Sequence, residues 1–401
     1  MDQSNDTNSH LLQEADSSSS NGTGVDMQVH HEFTQWAVNQ GVIINGIAPF
    51  RFPGKGLGLV ANRDFEIGDT LVQVPIKTLR KATDVSSQYS ELAPNIAVHS
   101  LLALSLDSLL GPEWVAVLPS RQDMHTSMPL FWDPSLQELL PHSAKALLKT
   151  QKEKIASAWT IICKAFPEPP ITYEDFTYNY SVVNSRTFYY VSPAIKSSKH
   201  QPAKEDRLAL NPFADYMNHS AHPTVNATLS RAGYTLTASQ PIKQGSEVHI
   251  SYGSHSNDFL LVEYGFILDT NPWDEVRLDS WITPLLTPEQ SEHLQETGFL
   301  GNYMLDGDTI CYRTQVVLRI LSLPSGRWRR FVQGLESEEI SQEAADKVLV
   351  KILMAGKIEA IEMIKRVGDN QAGLDSQRDT LNRRWSQLIM LVGRALNRVE
   401  C

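Results

Sequence analysis

Cysteine is scarce in this sequence, and its few cysteines are widely separated. The 401 residues include three, Cys163, Cys311 and Cys401, and no Cys-x-x-Cys pair. An odd number at such spacing supports neither a disulfide framework nor a cysteine zinc site. The histidines also miss the spacing of metal ligands, because His219 and His222 form one pair without a third ligand. We therefore predict a reducing environment and no bound metal.

Long apolar runs, secretory features and an excess of basic charge are missing as well. The first residues, MDQSNDTNSH, lack the basic and apolar regions of a signal peptide. No run approaches the roughly 18 apolar residues that span a bilayer. The formal net charge of −11 argues against nucleic acid as the main partner and suits a basic protein segment as a substrate. We expect an intracellular protein, in the cytoplasm, the nucleus or both, that binds neither membranes nor nucleic acid.

The composition is that of an ordinary globular protein, and the first residues of the sequence are polar. Hydrophobic residues make up 41% and charged residues 20%, in a chain long enough for two or three domains. Residues 1–28 are rich in Ser, Asn and Asp and cannot bury enough apolar surface to offset chain entropy, which predicts a disordered tail. A short amphipathic helix is predicted over about 31–40, with Phe33, Trp36 and Ala37 on one face.

The rest of the chain alternates between β and helical patterns. Two stretches, about 43–82 and 224–253, combine short β-branched runs with turn signals and predict small sheets of short strands. Between them, about 92–180 is predicted to be helical. Within it, 95–110 is apolar nearly all round, which is typical of a buried helix, and 135–166 predicts a helical pair.

After about Trp273 the pattern is helical again. Two apolar sets mark helical faces: Ala344, Val348, Ile352, Ile358, Ile361 and Ile364 in the first, and Leu381, Trp385, Leu388, Val392, Ala395 and Val399 in the second. The basic run 327–330, RWRR, either docks an acidic partner or forms a solvated helix face.

The glycines of GKGLGL, residues 54–59, allow two interpretations. They fall as G-x-G-x-G before strand and turn signals, whereas a Rossmann loop opens a helix. No Walker A pattern occurs, and Ser251 and Ser254 lack the G-x-S-x-G setting of a nucleophile. A tight turn is one interpretation. The other is a loop whose bare backbone at Gly54, Gly56 and Gly58 lets a small ligand approach closely.

The segment NPFADYMNHS, residues 211–220, gathers hydrogen-bonding groups on a half-apolar stretch of strand length. In a buried element each of these groups would need a partner, whereas a loop carries them without cost. For Asp215 and Ser220, structural capping is as good an interpretation as a functional role. Judged by its neighbours in the sequence alone, Tyr252 is predicted to be a core tyrosine at the end of a strand.

Five motifs follow one another along the chain: GKGLGL (54–59), NSRTFYY (184–190), DYMNHS (215–220), ISYG (250–253) and EYGF (263–266). In this order, with helices between the β regions, they resemble the SET-domain methyltransferases, specifically the Rubisco large-subunit methyltransferase-like branch. The resemblance runs from about Phe33 to Leu268, with weaker support in the C-terminal third. The scarcity of cysteine agrees, because this branch does without the cysteine–zinc flanks that histone-type SET proteins often carry.

The resemblance implies an α+β fold. It consists of a SET-domain β core of small twisted sheets with a knot-like segment, a helical insert and a C-terminal all-helical domain. The predicted boundaries are a tail at 1–28, a SET domain at 29–271 with its insert at about 92–180, and a helical substrate-binding domain at 275–401. This last domain resembles the Rubisco methyltransferase C-terminal domain.

S-adenosylmethionine is the cofactor that the resemblance implies. Arg186 would meet its amino-acid moiety, because a guanidinium offers a carboxylate a fork of donors. Asp215 would brace the Asn-His segment, and Tyr264 would line the cofactor or lysine channel. Tyr252 stands in the family's catalytic position. The complete predicted set is Lys55, Gly56 and Leu57, which act through the backbone, with Arg186, Asp215, Asn218, His219, Tyr252 and Tyr264.

The implied activity is methyl transfer to a lysine side chain of a non-histone protein, such as a ribosomal protein or a translation factor, by a monomeric protein-lysine N-methyltransferase. Histidine methylation in the same fold is an alternative. Relatives with that activity place Trp before the aspartate, where this chain has Ala214. A SET-like binding module without catalysis and an unrelated small-molecule enzyme are the remaining alternatives.

Overall fold

The chain folds into two units that each combine distant parts of the sequence. The structure, a computed structural model, describes residues 23–53, 56–89, 91–92, 94–192, 203, 206–307, 309–324 and 326–400. One unit comprises the described residues up to Leu118 together with Arg186–Ser251, and the other comprises Pro119–Ser185 and the chain from Tyr252 onward. The predicted domain boundaries, at residues 271 and 275, divide the chain into consecutive segments. Packing instead places the later part of the predicted insert in one unit with the C-terminal helices.

Helices outnumber strands, as the patterns predict. The helices are α1 (Thr23–Asn39), α2 (Val98–Leu104), α3 (Leu106–Leu110), α4 (Pro112–Val115), α5 (Arg121–Ser127), α6 (Pro134–Gln137), α7 (His142–Ala165), α8 (Tyr173–Arg186), α9 (Asn257–Tyr264), α10 (Asp279–Ile282), α11 (Pro288–Glu296), α12 (Tyr312–Ser322), α13 (Arg327–Val332), α14 (Glu338–Asp369) and α15 (Asp375–Glu400). None of them, within the described ranges, is long and apolar enough to cross a membrane.

The strands are short and confirm the two predicted β regions. They are β1 (Ile43–Ile44), β2 (Ile47–Phe52), β3 (Gly56–Ala61), β4 (Thr70–Pro75), β5 (Thr187–Tyr189), β6 (Leu208–Leu210), β7 (Asn218–His219), β8 (Val225–Leu229), β9 (Gly233–Ala238), β10 (Glu247–Ile250), β11 (Glu275–Arg277), β12 (Met304–Asp306) and β13 (Thr309–Ile310). In the first unit they form two four-stranded sheets, β1-β4-β9-β8 and β2-β3-β10-β7, and the pair β5-β6. Among the strands of the described residues, only β7 and β10 pair in parallel, with Ile250 opposite His219.

The predicted tail and the first predicted helix need correction. Helix α1 begins at Thr23, so residues 23–28 are helical, while 1–22 lie outside the described residues. The apolar face is confirmed, because Phe33 and Ala37 are fully buried and the ring of Trp36 stacks 5.5 Å from that of Phe33. At its N-terminal end the helix continues past the predicted apolar face, and His30 there is buried against Tyr216.

The predicted helices between the β regions are confirmed with one change. The buried stretch 95–110 forms two short helices, α2 and α3, with Ser105 between them, rather than one. The pair predicted over 135–166 is present as the short α6 and the long α7, which ends before Phe166.

The C-terminal third is not all-helical. It contains the three-stranded sheet β11-β12-β13, with Val276 of β11 opposite Leu305 of β12. The strands have three, three and two residues. Such short strands show too little alternation to be recognised in the sequence, because the period of two needs at least four residues to be visible.

The second unit has one continuous hydrophobic core that crosses the predicted domain boundary. Leu261 and Val262 of α9 belong to the same buried cluster as Leu349 of α14 and Trp385 of α15. The Trp385 indole donates a hydrogen bond to the carbonyl of Leu139, 2.8 Å away. Residues before 271 and after 275 therefore depend on each other for burial, since apolar surface on either side would otherwise face water.

A buried ion cluster fixes α9 against α15. The guanidinium of Arg384 is fully buried and donates to Asp258 and Asp274, each at 2.6 Å. Asn257, beside Asp258, donates to Gln387 at 2.9 Å and binds both the carbonyl and the amide of Leu268. Because buried charges must be paired to be tolerated, these contacts define one register of α9 on α15.

Candidate active site

The segment 211–220 lies inside the first unit. Seven of its ten residues are buried, and it contains the helical turn Ala214–Tyr216 followed by β7. Phe213 is fully buried and has a φ of 67°, a left-handed conformation that a bulky side chain rarely adopts. Strain of this kind persists only where the surroundings fix the backbone, and it is frequent at functional sites.

Asn218 is held by both N–H groups of its side-chain amide. Its Nδ2 donates to the carbonyl of Leu57 at 3.0 Å and to Oε1 of Glu247 at 2.8 Å. Both partners are acceptors, so they fix which end of the amide is nitrogen. The Glu247 side chain is only 7% exposed, and its other oxygen lies 3.3 Å from Nε2 of His249. The predicted residues Leu57 and Asn218 are therefore in direct contact.

Gly58 is required by this contact. A Cβ at Gly58 would lie 2.7 Å from Oε1 of Glu247 and 2.8 Å from Nδ2 of Asn218, closer than real Cβ atoms approach such groups. The missing side chain thus makes room for protein atoms. At Gly56, where φ is 84°, a Cβ would meet nothing within 4 Å, so the backbone there is bare, as the ligand-loop interpretation requires. The predicted contact Lys55 lies outside the described residues.

Arg186 and Asp215 form a second contact among the predicted residues. Nη1 of Arg186 donates to the backbone carbonyl of Asp215 at 3.2 Å, and the Trp114 indole donates to the Asp215 carboxylate, also at 3.2 Å. Burial raises the pKa of Asp215 to about 6, although the nearby Arg186 guanidinium acts in the opposite direction. Nε of Arg186 is buried without a hydrogen-bond partner among the described residues. The Nε–H group of Arg186 is therefore available to donate a hydrogen bond to an anionic group.

His219 and Tyr216 complete the polar groups of the segment. His219 is buried and pairs in parallel register with Ile250 of β10. The Tyr216 hydroxyl lies 2.8 Å from Nδ1 of His30, on α1, in a buried contact. Burial raises the pKa of Tyr216, so the hydroxyl stays protonated. Asp215, Tyr216 and Asn218 are therefore paired with distant parts of the unit. Both amide atoms of Asn211 are buried without a hydrogen-bond partner among the described residues.

In the second unit, aromatic rings surround Tyr252. Tyr252 follows β10 by two residues, and its ring centroid lies 4.8 Å from that of Tyr264 and 6.4 Å from that of Phe266. Burial, followed by the neighbouring Glu263 carboxylate, raises the pKa of Tyr264 to about 12. The rings of Tyr252, Tyr264 and Phe266 thus form a wall of low polarity. The two tyrosine hydroxyl groups are its polar atoms.

The end of α9 positions Tyr264. The helix stops because Gly265 adopts the left-handed conformation with φ 81°, where a Cβ would lie 2.9 Å from Sδ of Met128. Glu263 accepts hydrogen bonds from Asn184 at 2.7 Å and from Gln151 at 3.0 Å, and burial raises its pKa. These contacts anchor the helix end on α7 and α8.

Two residues near the predicted set were missed in the sequence. Glu247 gives no local signal, because its partner Asn218 is 29 residues away. His255 stacks on Phe259 with ring centroids 4.2 Å apart, and its Nε2 lies 3.2 Å from the carbonyl of Tyr252. A carbonyl only accepts, so Nε2 carries the proton, and burial lowers the pKa of His255. Its position three residues after Tyr252 was the only available hint.

The predicted residues therefore fall into two groups. Leu57 and Asn218, and separately Arg186 and Asp215, are in contact within the first unit. Tyr252 and Tyr264 are in contact within the second. The roles assigned to these residues stay predictions. No cluster of His, Cys, Asp and Glu side chains in the described part of the chain could hold a metal ion.

Comparisons with known proteins agree with this architecture. The SET domain model matches residues 56–253, and the model described as the ribosomal lysine N-methyltransferase 2 C-terminal domain matches 274–398. SET domain-containing protein 4 of Mus musculus is 26% identical over 88% of this chain and 86% of its own length. Ribosomal lysine N-methyltransferase set11 of Schizosaccharomyces pombe is 26% identical over 83% of this chain and 88% of its own length. A solved structure of Rubisco LSMT bound to AdoMet superposes with a TM-score of 0.63 at 19% identity, covering 93% of this chain and 91% of that one.

These matches define the class of the protein. The chain carries a SET domain followed by a C-terminal domain of the ribosomal lysine methyltransferase type, and its fold is that of the Rubisco methyltransferase-like branch. Residues 56–253 form a SET domain, as the motifs predict.

Proposed function

We propose that this protein methylates a lysine side chain of a non-histone protein. The observation that carries the proposal is the aromatic wall formed by Tyr252 of the motif ISYG with Tyr264 and Phe266 of the motif EYGF. Support for lysine comes from the matched C-terminal domain and from the relative in Schizosaccharomyces pombe, both of which are described as lysine methyltransferases.

The residues of the first unit fit the cofactor. Gly56 offers bare backbone beside Leu57, and the buried Nε of Arg186 offers a spare donor for the cofactor's carboxylate. Both N–H groups of the Asn218 amide are already used by protein acceptors. Asn218 therefore meets the cofactor as an acceptor, through Oδ1, which suits an amino group. His219 and Asp215 support the same segment, and Lys55 contributes through its backbone.

The chemistry requires a neutral amine. A free lysine has a pKa of about 10.4, so its deprotonation near neutral pH costs on the order of 4–5 kcal/mol. An aromatic wall lowers that cost, because removal of water disfavours the ammonium form. When bound, S-adenosylmethionine supplies an electrophilic methyl group on a positively charged sulfur. The Gly56 backbone, Arg186 and Asn218 would hold this cofactor, which would supply the methyl group that the substrate nitrogen takes up with loss of one proton to water.

Tyr252 has the central part in this step. Its hydroxyl orients the amine by a hydrogen bond, which contributes alignment and electrostatic stabilisation. His255 holds the backbone carbonyl of Tyr252 by donation from Nε2, and Tyr264 packs against the Tyr252 ring. The backbone and the ring of Tyr252 are therefore each held by a neighbouring residue, as an orienting group has to be.

The substrate is a protein, and we assign its docking to the C-terminal region, 275–401. A ribosomal protein fits the relatives' descriptions, and the enzyme would then work as a monomer in the cytoplasm or nucleus. Histidine methylation is the alternative. Ala214, fully buried where relatives with that activity carry Trp, favours lysine.

The decisive experiment incubates the protein and isotopically labelled S-adenosylmethionine with a lysate of its own cells, and then maps the labelled residue by mass spectrometry. The Tyr252→Phe variant serves as the control for labelling by endogenous enzymes. We expect one protein labelled at a lysine, only with the wild-type chain. Labelling of histidine would select the alternative, and cofactor binding without any labelled protein would contradict an active enzyme.

A further inference from the structure

Helix α14 carries a strip of apolar side chains that face solvent. Met354, Ile358 and Ile361 are 44%, 63% and 53% exposed. They follow each other at spacings of four and three residues, so they lie side by side on the helix. Single exposed apolar residues are common on protein surfaces, but three adjacent ones on one face are characteristic of a binding surface.

The exposed strip on α14 is not the edge of the helix face that packs in the hydrophobic core. At about 100° per residue, the buried positions Leu349, Leu353 and Ala360 lie roughly opposite Met354 and Ile358 on the helix. That inner face packs closely, because a Cβ at Gly356 would lie 2.7 Å from the Trp281 ring. Helix α14 is therefore apolar on two opposite faces. Only the inner one is needed for folding.

Lysines stand at both ends of the strip. Lys351 precedes it and Lys365 follows it, and both are exposed. Lys357 lies beside it. Of the two nearby carboxylates, Glu362 adjoins the strip, whereas Glu359 is bound to His142 and Trp281. Among the described residues, the ion pairs do not include Lys351, Lys357 or Lys365, whereas the more distant Lys347 is paired with Glu343. The strip therefore lies in a locally positive field, on a chain whose net charge is −11.

The charges of Lys351 and Lys365 determine which kind of partner can bind this surface. In a symmetric antiparallel pair of chains centred on the strip, Lys351 of each copy would face Lys365 of the other. In a parallel pair each lysine would face itself. Both arrangements bring like charges together, which weakens association. A partner helix with carboxylates at its ends meets the same lysines with opposite charge.

We propose that the strip Met354–Ile358–Ile361, with Lys351 and Lys365, is a docking surface for an acidic amphipathic helix of a partner protein. The two lysines are 14 residues apart, which is about 21 Å along a helix. The partner carries three apolar side chains at matching spacing and carboxylates about 20 Å apart. This is the helix-on-surface mode of recognition, with apolar anchors for affinity and charges for selectivity. Docking is independent of methyl transfer and occurs without the cofactor.

The test uses two designed helical peptides with identical apolar residues, one flanked by Glu and the other by Lys. Each is labelled and titrated with the full chain, without S-adenosylmethionine, by fluorescence anisotropy. We expect the Glu-flanked peptide to bind at least tenfold more tightly, with an affinity that falls as salt rises. The double variant Lys351→Glu/Lys365→Glu should reverse the preference, and Ile358→Ser/Ile361→Ser should abolish binding of both peptides.

The matched control is Leu285→Ser. Leu285 is 52% exposed but lies outside α14, so its replacement should leave binding unchanged. Circular dichroism of each variant establishes that it is folded, as expected for side chains that already face water. Equal binding of the two peptides, or binding that survives Ile358→Ser/Ile361→Ser, would overturn the proposal. Self-association of the chain that is lost in the same variant would show a second copy as the occupant and overturn it as well.

Discussion

The side-chain amide of Asn218 is bound 2.8 Å from the carboxylate of Glu247, and this pair links the ends of two neighbouring strands. The amide also reaches the carbonyl of Leu57 on the opposite side. One side chain thus connects β7, β10 and β3, the strands that carry the motifs DYMNHS, ISYG and GKGLGL. Strands from three distant parts of the chain meet at Asn218.

Replacement of Asn218 by alanine should lower the free energy of unfolding by about 1–3 kcal/mol, because the buried Glu247 carboxylate loses a donor. Chemical denaturation measures this. Ser220→Ala is the control, since among the described residues the Ser220 hydroxyl accepts only from the amide of His222, and its loss should change stability by about 0.5 kcal/mol or less. Equal effects of the two variants would show that the amide is not a structural link.

Asp215 should make stability depend on pH. Its folded pKa of about 6 lies above the ordinary value of 3.8, so the folded state holds this proton more tightly than the unfolded state. The stabilisation is complete below about pH 4 and is lost as the pH rises through 6, by about 3 kcal/mol. The unfolding free energy of Asp215→Asn, minus that of the wild type, should therefore rise by that amount between about pH 4 and pH 7. A difference that is flat across this range would contradict the raised pKa.

Arg384→Met should destabilise the protein by about 3–5 kcal/mol, because it leaves the carboxylates of Asp258 and Asp274 buried without their cation. The adjacent Arg383 provides a matched control. Arg383 pairs with Asp269 on the surface, with 53% and 88% of the two side chains exposed, so Arg383→Met should cost less than about 1 kcal/mol. Thermal unfolding of both variants compares them directly. A small effect of Arg384→Met would mean that the cluster contributes little to the register of α9.

Tyr252→Phe should retain cofactor affinity and lose at least tenfold in turnover, since only the hydroxyl is removed while the ring keeps its packing on Tyr264. Calorimetric titration with S-adenosylmethionine and a methyl-transfer assay separate the two quantities. The control is Tyr89→Phe, which changes a buried tyrosine of the first unit that is outside the predicted set. Unchanged turnover in Tyr252→Phe would remove Tyr252 from the proposed catalytic role.

The local sequence was enough to predict the order of elements and the class of the protein. Helical faces such as Leu381 to Val399 repeat their apolar residues at every third or fourth position, and the short strands are bounded by turn signals. The SET motifs are equally local, since each occupies ten residues or fewer. For these features the information lies within one element, so no knowledge of its neighbours is needed.

Tertiary structure decided which surfaces meet. The apolar periodicity of α14 marked both Ile352 and Ile358, yet Ile352 is buried and Ile358 faces solvent. The sequence likewise gave no sign that Leu261 shares a core with Trp385, or that Glu247 binds Asn218. The physical reason is that periodicity reports the chemistry of a face, whereas burial depends on the element that packs against it. That partner is often more than a hundred residues away, and only the folded chain brings it into contact.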